Sequence, residues 1–457
     1  MSSTSVSRGT RLSTNRPGVR TAAAITLSTE FFAPEIRTVP SRDGPGSTTT
    51  LVTTPNYACR SLRLVTELAR AVDRHHLVEL TRALVAIDTQ NPPGNESAAI
   101  PVAARALAQW ASATDVIEPE PGRGSVVITV PASRANDARS APTLIVNGHL
   151  DVVPVVRESW TREPFGGELD GDRLYGRGTA DMKGGIAAAI EAVALLRRLG
   201  VPQTCNVVFH LVADEELGGG KGCAQLDAAG LLVGDACIDP EPTSMRISVA
   251  ERGVLTATLT THGTPGHGSQ PHAARSAVAD MAKIVTALHG ADFGDAEHPW
   301  LGRPSANAGA VSGGTSANVV AQTCSLLLDR RVLPGTTEAD AIASVRSKVE
   351  PLGVHDWQLA VDFFGSASEI AQDHPWVDTV RNSFVAALGR EPELVGMHFT
   401  TDARYVRARG IPAVVVGPGD IEQAHRVDES VSVAALVDAA VLYAQLFSTL
   451  DTPVPPL

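Results

Sequence analysis

The chain has 457 residues, 43% hydrophobic and 19% charged, with a formal net charge of -12. That length exceeds one ordinary core and predicts two or more domains. The acidic balance argues against a nucleic-acid or anionic-membrane partner, since either needs a basic face, and no apolar run is long enough to cross a bilayer.

Residues 1–72 read as a disordered stretch or extension. Up to Arg20 they are Ser, Thr and Arg with few large apolar side chains, and the first acid is Glu30. They lack the apolar centre of a secretory signal; an Arg-rich, acid-poor leader also has the composition of an organelle transit peptide, or follows from a start codon placed too far upstream. The folded part opens with apolar residues at Leu77, Leu80, Leu84 and Ile87, a helical spacing halted by Pro92, Pro93 and Gly94. A second helix is predicted in IPVAARALAQWA (100–111), then strands in SVVITV (125–130) and PTLIVNGHLD (142–151). Residues 183–199 read as a buried helix rich in Ala and Leu, and CNVVFHLVADEE (205–216) as a strand ending in an acidic pair. Strands alternating with helices predict an α/β domain on a mainly parallel sheet, spanning 73–250 and resuming at 366–457.

Between 251 and 365 the texture changes. VLTATLTTHG (254–263) alternates apolar and polar residues, AARSAVADMAKIVTALHG (273–290) is a helix and TCSLLLDRRVLPG (323–335) a strand. TEADAIASVRSKVEPLG (337–353) is a helix and VHDWQLAVDFF (354–364) a last strand. This pattern predicts an inserted α+β domain of the ferredoxin-like kind. The first domain then returns with a helix over 375–388, the strand PAVVVGPG (412–419) and a final helix VAALVDAAVLYAQLF (433–447). Cys59, Cys205, Cys223, Cys237 and Cys324 form no CxxC pair, which fits free thiols in a reducing, cytoplasmic compartment.

Five stretches carry metal-type ligands: His149 in NGHLDVVP, Asp181 in GRGTADMKGG, Glu216 in ADEELGGG, Glu241 in DPEPTS and His425 in QAHRVDES. Two imidazoles and three carboxylates suit a pair of borderline divalent ions such as zinc, with cobalt or manganese as alternatives. DPEPTS also offers Asp239. Glu215, beside Glu216, is the proton acceptor that hydrolysis needs. Asp151 follows His149 by two residues, where a carboxylate can steady a ligating imidazole.

HLDVVP, GRGTADMKGG, ADEELGG, EPTS, GHGSQPHA, DRRVLPG and GPG…AHRVDE stand in the order found in the di-zinc amidohydrolases. The chain resembles that family, which holds acetylornithine deacetylase, succinyl-diaminopimelate desuccinylase, aminoacylase and the glutamate carboxypeptidases. The resemblance covers residues 75–450 and implies a zinc-peptidase-like catalytic domain with a lid and homodimerisation domain inserted at 251–365. It implies that His149 binds one metal, Asp181 bridges two, Glu216 and Glu241 (aligned on EPT) are ligands, and His425 completes the ligands of the second metal. Glu215 becomes the general base acting on an activated water, and Asp151 holds His149 from behind. By the same resemblance His267 reaches the partner subunit's site and polarises the scissile carbonyl. Asn318 and Arg331 grip the substrate carboxylate, with a structural salt bridge from Arg331 to an acid such as Asp329 as the alternative. The implied reaction is hydrolysis of the amide of an N-acyl amino acid, with a dipeptidase or carboxypeptidase as the alternative and a catalytically silent binding protein as the third reading. Where desuccinylases carry two basic residues this chain has Glu251 and Arg252, which speaks against a doubly acidic substrate.

Overall fold

The computed structural model describes residues 67–133, 141–294 and 296–457. Most of the expected N-terminal extension, with Cys59, lies outside them. Leu68 and Val72 are already buried in the main core, so the folded chain starts before residue 73.

Helix α1 (Arg74–Val85) buries Leu77, Leu80 and Leu84 as one stripe, and the Asp73 carboxylate caps it by accepting the His76 N–H. Then follow α2 (Ile100–Leu107), β1 (Ala113–Ile117), β2 (Ser125–Val130), β3 (Thr143–His149) and the hairpin of β4 (Glu168–Asp170) with β5 (Arg173–Tyr175). Next come α3 (Lys183–Leu199), β6 (Asn206–Val212), α4 (Cys223–Ala228), β7 (Ala236–Asp239) and β8 (Ile247–Glu251). The second region holds β9 (Gly253–His262), α5 (Ala277–Leu288), β10 (Ser305–Gly313), β11 (Thr323–Val332), α6 (Glu338–Val349) and β12 (Trp357–Gly365). The chain closes with β13 (Ser368–Glu369), α7 (Pro375–Leu388), β14 (Leu394–Met397), α8 (Ala403–Ala408), β15 (Ala413–Val415), β16 (Ser430–Ser432) and α9 (Val433–Thr449).

The large sheet runs β1-β2-β6-β3-β7-β15-β8-β13, with β14 paired to β8. Its centre, β6-β3-β7-β15, is parallel, whereas β1, β2 and β13 join antiparallel. The sheet is therefore mixed, with a parallel heart. Successive β3 residues serve opposite faces: Leu144 and Val146 enter the core under α1, α3 and α9, while Ile145 enters the one under α8. Helix α3 is buried from Lys183 to Leu196 and stops at Gly200, which takes the left-handed conformation that glycine tolerates best. No helix among the described residues is long and apolar enough to cross a membrane.

The second sheet is antiparallel, in the order β10-β11-β9-β12, and one face packs on α5 and α6 around its own core of Leu255, Leu259, Ile284, Leu326 and Val345. The βαββαβ order is ferredoxin-like. Strand β10 had no sequence signal: SANAGAVSG is small, polar and mostly exposed at an edge, so no buried face wrote an alternation into it.

Candidate metal centre and catalytic cavity

The parallel strands β3, β6 and β7 all deliver acidic or imidazole side chains from their carboxyl ends, where open α/β sheets place their sites. His149 is the last residue of β3. Its Nδ1 lies 2.9 Å from the Asp151 backbone oxygen and 3.5 Å from Asp151 Oδ1. Its Nε2 lies 3.0 Å from Asp181 Oδ1 and 3.4 Å from Glu241 Oε1. Asp181 turns its other oxygen to His425, whose Nε2 is 3.3 Å from Asp181 Oδ2 and 3.0 Å from Glu216 Oε2. Asp181 thus joins two imidazole–carboxylate pairs, His149 with Glu241 and His425 with Glu216.

The donor chemistry fits a pair of cations. The Asp151 carbonyl only accepts, so His149 Nδ1 donates to it. In the neutral form, the one that ligates a metal, the ring would aim its Nε2 lone pair at two carboxylates, an arrangement that only a positive charge between them makes favourable. Ligand atoms of His149, Asp181 and Glu216 lie within 4.8 Å of one another, as do those of His149, Glu215 and Glu241. Four carboxylates (Asp181, Glu215, Glu216, Glu241) converge on two imidazoles, the charge that two divalent ions would balance.

The protonation tendencies record the same crowding. Burial, then repulsion from Glu241, Asp402 and Glu216, pushes the Glu215 carboxyl well above its usual range against the pull of His149. Burial and Asp181 raise Glu241 well up, and Glu216 rises for the same two reasons. Burial disfavours charge on His149, yet Asp151, Asp181 and Glu241 outweigh it and lift its pKa well above an ordinary imidazole. Asp181 and Glu216 raise His425 to about 10. Burial opposes ionisation of Asp181, but both imidazoles hold it well below the usual carboxylate range.

A buried scaffold fixes these groups. The sequence reading placed Glu215 and Glu216 at the end of a strand; β6 stops at Val212, and the pair sits on a 3-10 turn after Asp214, whose φ is +70°. Asp151 accepts the Glu215 N–H at Oδ1 and the Glu216 N–H at Oδ2, each at 3.2 Å. Asn91 donates to Asp151 Oδ2 (2.8 Å) and Asp214 Oδ1 (3.1 Å). Arg123 grips Glu96 with two bonds of 2.9 Å and reaches Asp214 Oδ1 at 2.7 Å. Buried Glu429 accepts the N–H groups of Gly178, Ala180 and Asp181 and pairs with Arg177, so it shapes the Asp181 turn. None of Asn91, Glu96, Arg123 or Asp214 was singled out beforehand. They are far apart in sequence and follow no periodic pattern. Glu429 stood inside a quoted motif without a role.

Other expectations divide. Glu241, not Asp239, reaches His149; Asp239 is buried behind, its pKa pushed up to about 8 by burial and by Asp402. Thr401 binds Glu251 Oε2 through both its N–H and its hydroxyl at 2.7 Å, which ties the loop after β14 to the end of β8. Arg252 is committed to the Leu301 and Arg303 carbonyls.

A cavity of about 590 Å³ opens over the acidic cluster. One wall is the second sheet, through Val254, Thr256, Asp329, Arg331 and Phe363. Phe363 reaches across to the acid-pair turn: Gly218 has φ +104°, and a Cβ there would meet the Phe363 ring at 2.3 Å. Arg331 is in that wall and paired to Asp329 by two bonds of 2.8 Å. His267 and Asn318 are not in the cavity lining. They are exposed neighbours on two adjacent loops of the second region, where the Gly268 N–H binds the Asn318 carbonyl at 2.8 Å and His267 Nδ1 lies 2.7 Å from Ser269 Oγ.

The chain is 33% identical over 312 residues to a succinyl-diaminopimelate desuccinylase of Rhodospirillum centenum, covering 66% of this chain and 80% of that protein. It is 30% identical over 328 residues to an acetylornithine deacetylase of Edwardsiella ictaluri, covering 68% and 81%. Among solved structures, human carnosine dipeptidase 1 superposes with a TM-score of 0.68 at 16% identity, over 85% of this chain and 99% of that one. Residues 145–449, which span every ligand-bearing stretch, match the sequence pattern of Peptidase family M20/M25/M40, and the chain belongs to that family.

Proposed function

We propose that this protein is a metal-dependent amidohydrolase that releases a free amino acid from an N-acyl amino acid. One observation carries the reading: the two oxygens of Asp181 face two separate imidazole–carboxylate pairs, with Glu215 beside them. His149, Glu241, Asp181, Glu216 and His425 would hold two divalent ions, zinc first, with cobalt or manganese also suited to carboxylate-rich sites. When bound, such ions supply Lewis acidity to a carbonyl oxygen and make water acidic enough to act near neutral pH.

The chain's own residues do the rest. Glu215 takes a proton from water as its oxygen bonds to the acyl carbon. Glu215 then passes that proton to the amide nitrogen as the C–N bond breaks, giving a carboxylic acid and an amine. Asp151 keeps Glu215 and His149 in register through the bonds described above. Arg331 offers an N–H edge to the substrate carboxylate, which orients the amide for attack. Residues 251–365 act as lid and dimerisation domain; His267 and Asn318, exposed and outside this chain's cavity, serve the cavity of a second copy. A cytoplasmic setting is supported by Cys205, Cys223, Cys237 and Cys324, all buried free thiols.

The test is amine release by zinc-loaded protein from acetyl-amino acids and from dipeptides, with and without chelator. The expected result is release from the acyl-amino acids, lost with chelator and restored by zinc. Cleavage of dipeptides alone would assign the site to a peptidase, and chelator-insensitive cleavage would overturn the reading.

A further inference from the structure

Resting on the deacylase reading, we infer that Asp329 limits this cavity to substrates carrying one carboxylate, with an uncharged group beyond the scissile amide. Asp329 and Arg331 lie two residues apart on β11 and face the cavity together. The carboxylate takes Arg331 Nε at Oδ1 and Nη2 at Oδ2, both at 2.8 Å, so the pair has no net charge. Asp329 occupies the Nε–Nη2 edge of the guanidinium, and the Nη1 side remains for one incoming carboxylate. The two side chains are 30% and 32% exposed, so the pair is wet enough to meet a substrate rather than being sealed in a core.

Neither neighbouring arginine is turned toward a second anion, and His425 faces Asp181 and Glu216. Arg404, also in the lining, is buried and gives Nη1 to the Thr401 carbonyl and Nη2 to the Gly218 carbonyl. Arg252 is turned to backbone carbonyls. Apart from the acidic cluster and its histidine, the rest of the lining is mostly apolar, with Val254, Phe363, Phe399 and Ile421, and carries the hydroxyls of Thr256 and Thr400. A second carboxylate there meets apolar surface and the like charge of Asp329, whereas an acetyl group or an apolar side chain meets a matching surface.

The experiment compares kcat/KM for N-acetyl-L-leucine and N-succinyl-L-leucine on the zinc-loaded full chain. Wild type is expected to favour the acetyl substrate, and Asp329→Asn to shrink that preference by about tenfold, the scale of one like-charge contact in a partly wet site. Asp329→Glu, which keeps the charge, is expected to restore it. An unchanged preference in Asp329→Asn overturns the inference, as does a wild-type preference for the succinyl substrate. A second comparison needs no variant: N-acetyl-L-glutamate should be a poorer wild-type substrate than N-acetyl-L-leucine, and the reverse order overturns the inference. Release of amine by wild type from none of the three substrates would defeat the deacylase reading itself, and this inference with it.

Discussion

The large sheet and the small one treat charge in opposite ways. At the carboxyl ends of β3, β6 and β7, charged groups are buried and interlocked: Asp151 binds two backbone N–H groups and Asn91, and Arg123 holds Glu96 and Asp214. On β11 the charged pair Asp329–Arg331 is self-contained and part-exposed, beside threonines whose hydroxyls suit many ligands. Rigid, over-determined geometry suits bond-breaking, where small displacements are costly. A half-open wall suits selection, where single contacts can change without disturbing the chemistry. On the proposed reading, the difference assigns reactivity to the first sheet and selectivity to the second.

The sharpest way to break this division is Glu215→Gln. It is expected to lower kcat by about a thousandfold, the range for losing a general base, with metal content nearly unchanged; full turnover would remove Glu215 from its role. Next is Arg123→Met. Removing the buried cation leaves Glu96 and Asp214 uncompensated, and urea unfolding should show about 3 kcal/mol of lost stability, as for one broken buried pair. A loss below about 0.5 kcal/mol would show that the scaffold is not held electrostatically.

His210, on β6 in the same core, tests burial alone. It is fully buried, neither ring nitrogen has a hydrogen-bond partner among the described residues, and burial lowers its pKa to about 4. The unfolded imidazole titrates near 6.5, so below that pH the unfolded chain binds a proton that the folded chain refuses. Stability is therefore present above pH 6.5 and is lost as pH falls toward 4. Wild type should lose about 2 kcal/mol more than His210→Leu between pH 7.5 and 5, read from paired urea titrations. Equal losses would contradict the burial argument. The smallest effect is expected on the selective side: Arg331→Lys should raise KM about tenfold with little change in kcat, because the fork is lost while the charge stays.

Much of this was legible in the sequence because it is local. The α3 pattern of Ala and Leu gave a helix over 183–199, and Pro375 and Gly389 bracketed α7. The candidate ligands were legible because each sits in a short motif whose residue types suit metal chemistry. What stayed hidden was long-range or low in contrast. Arg123 meets Asp214 across 91 residues, with no spacing to announce it. Strand β10 lacks the apolar alternation that burial writes into β9. The Asp329–Arg331 pairing was one of two readings open to the same side chain, and only the fold shows which partner it holds.

The measurement that bears most directly on the account is metal stoichiometry after zinc reconstitution and dialysis, comparing wild type with Asp181→Ala. Sharing of two cations through Asp181 predicts two zinc ions per wild-type chain and one or fewer in the variant, both proteins keeping their secondary structure. Wild type with only trace zinc, or a variant that still holds two ions, would contradict it.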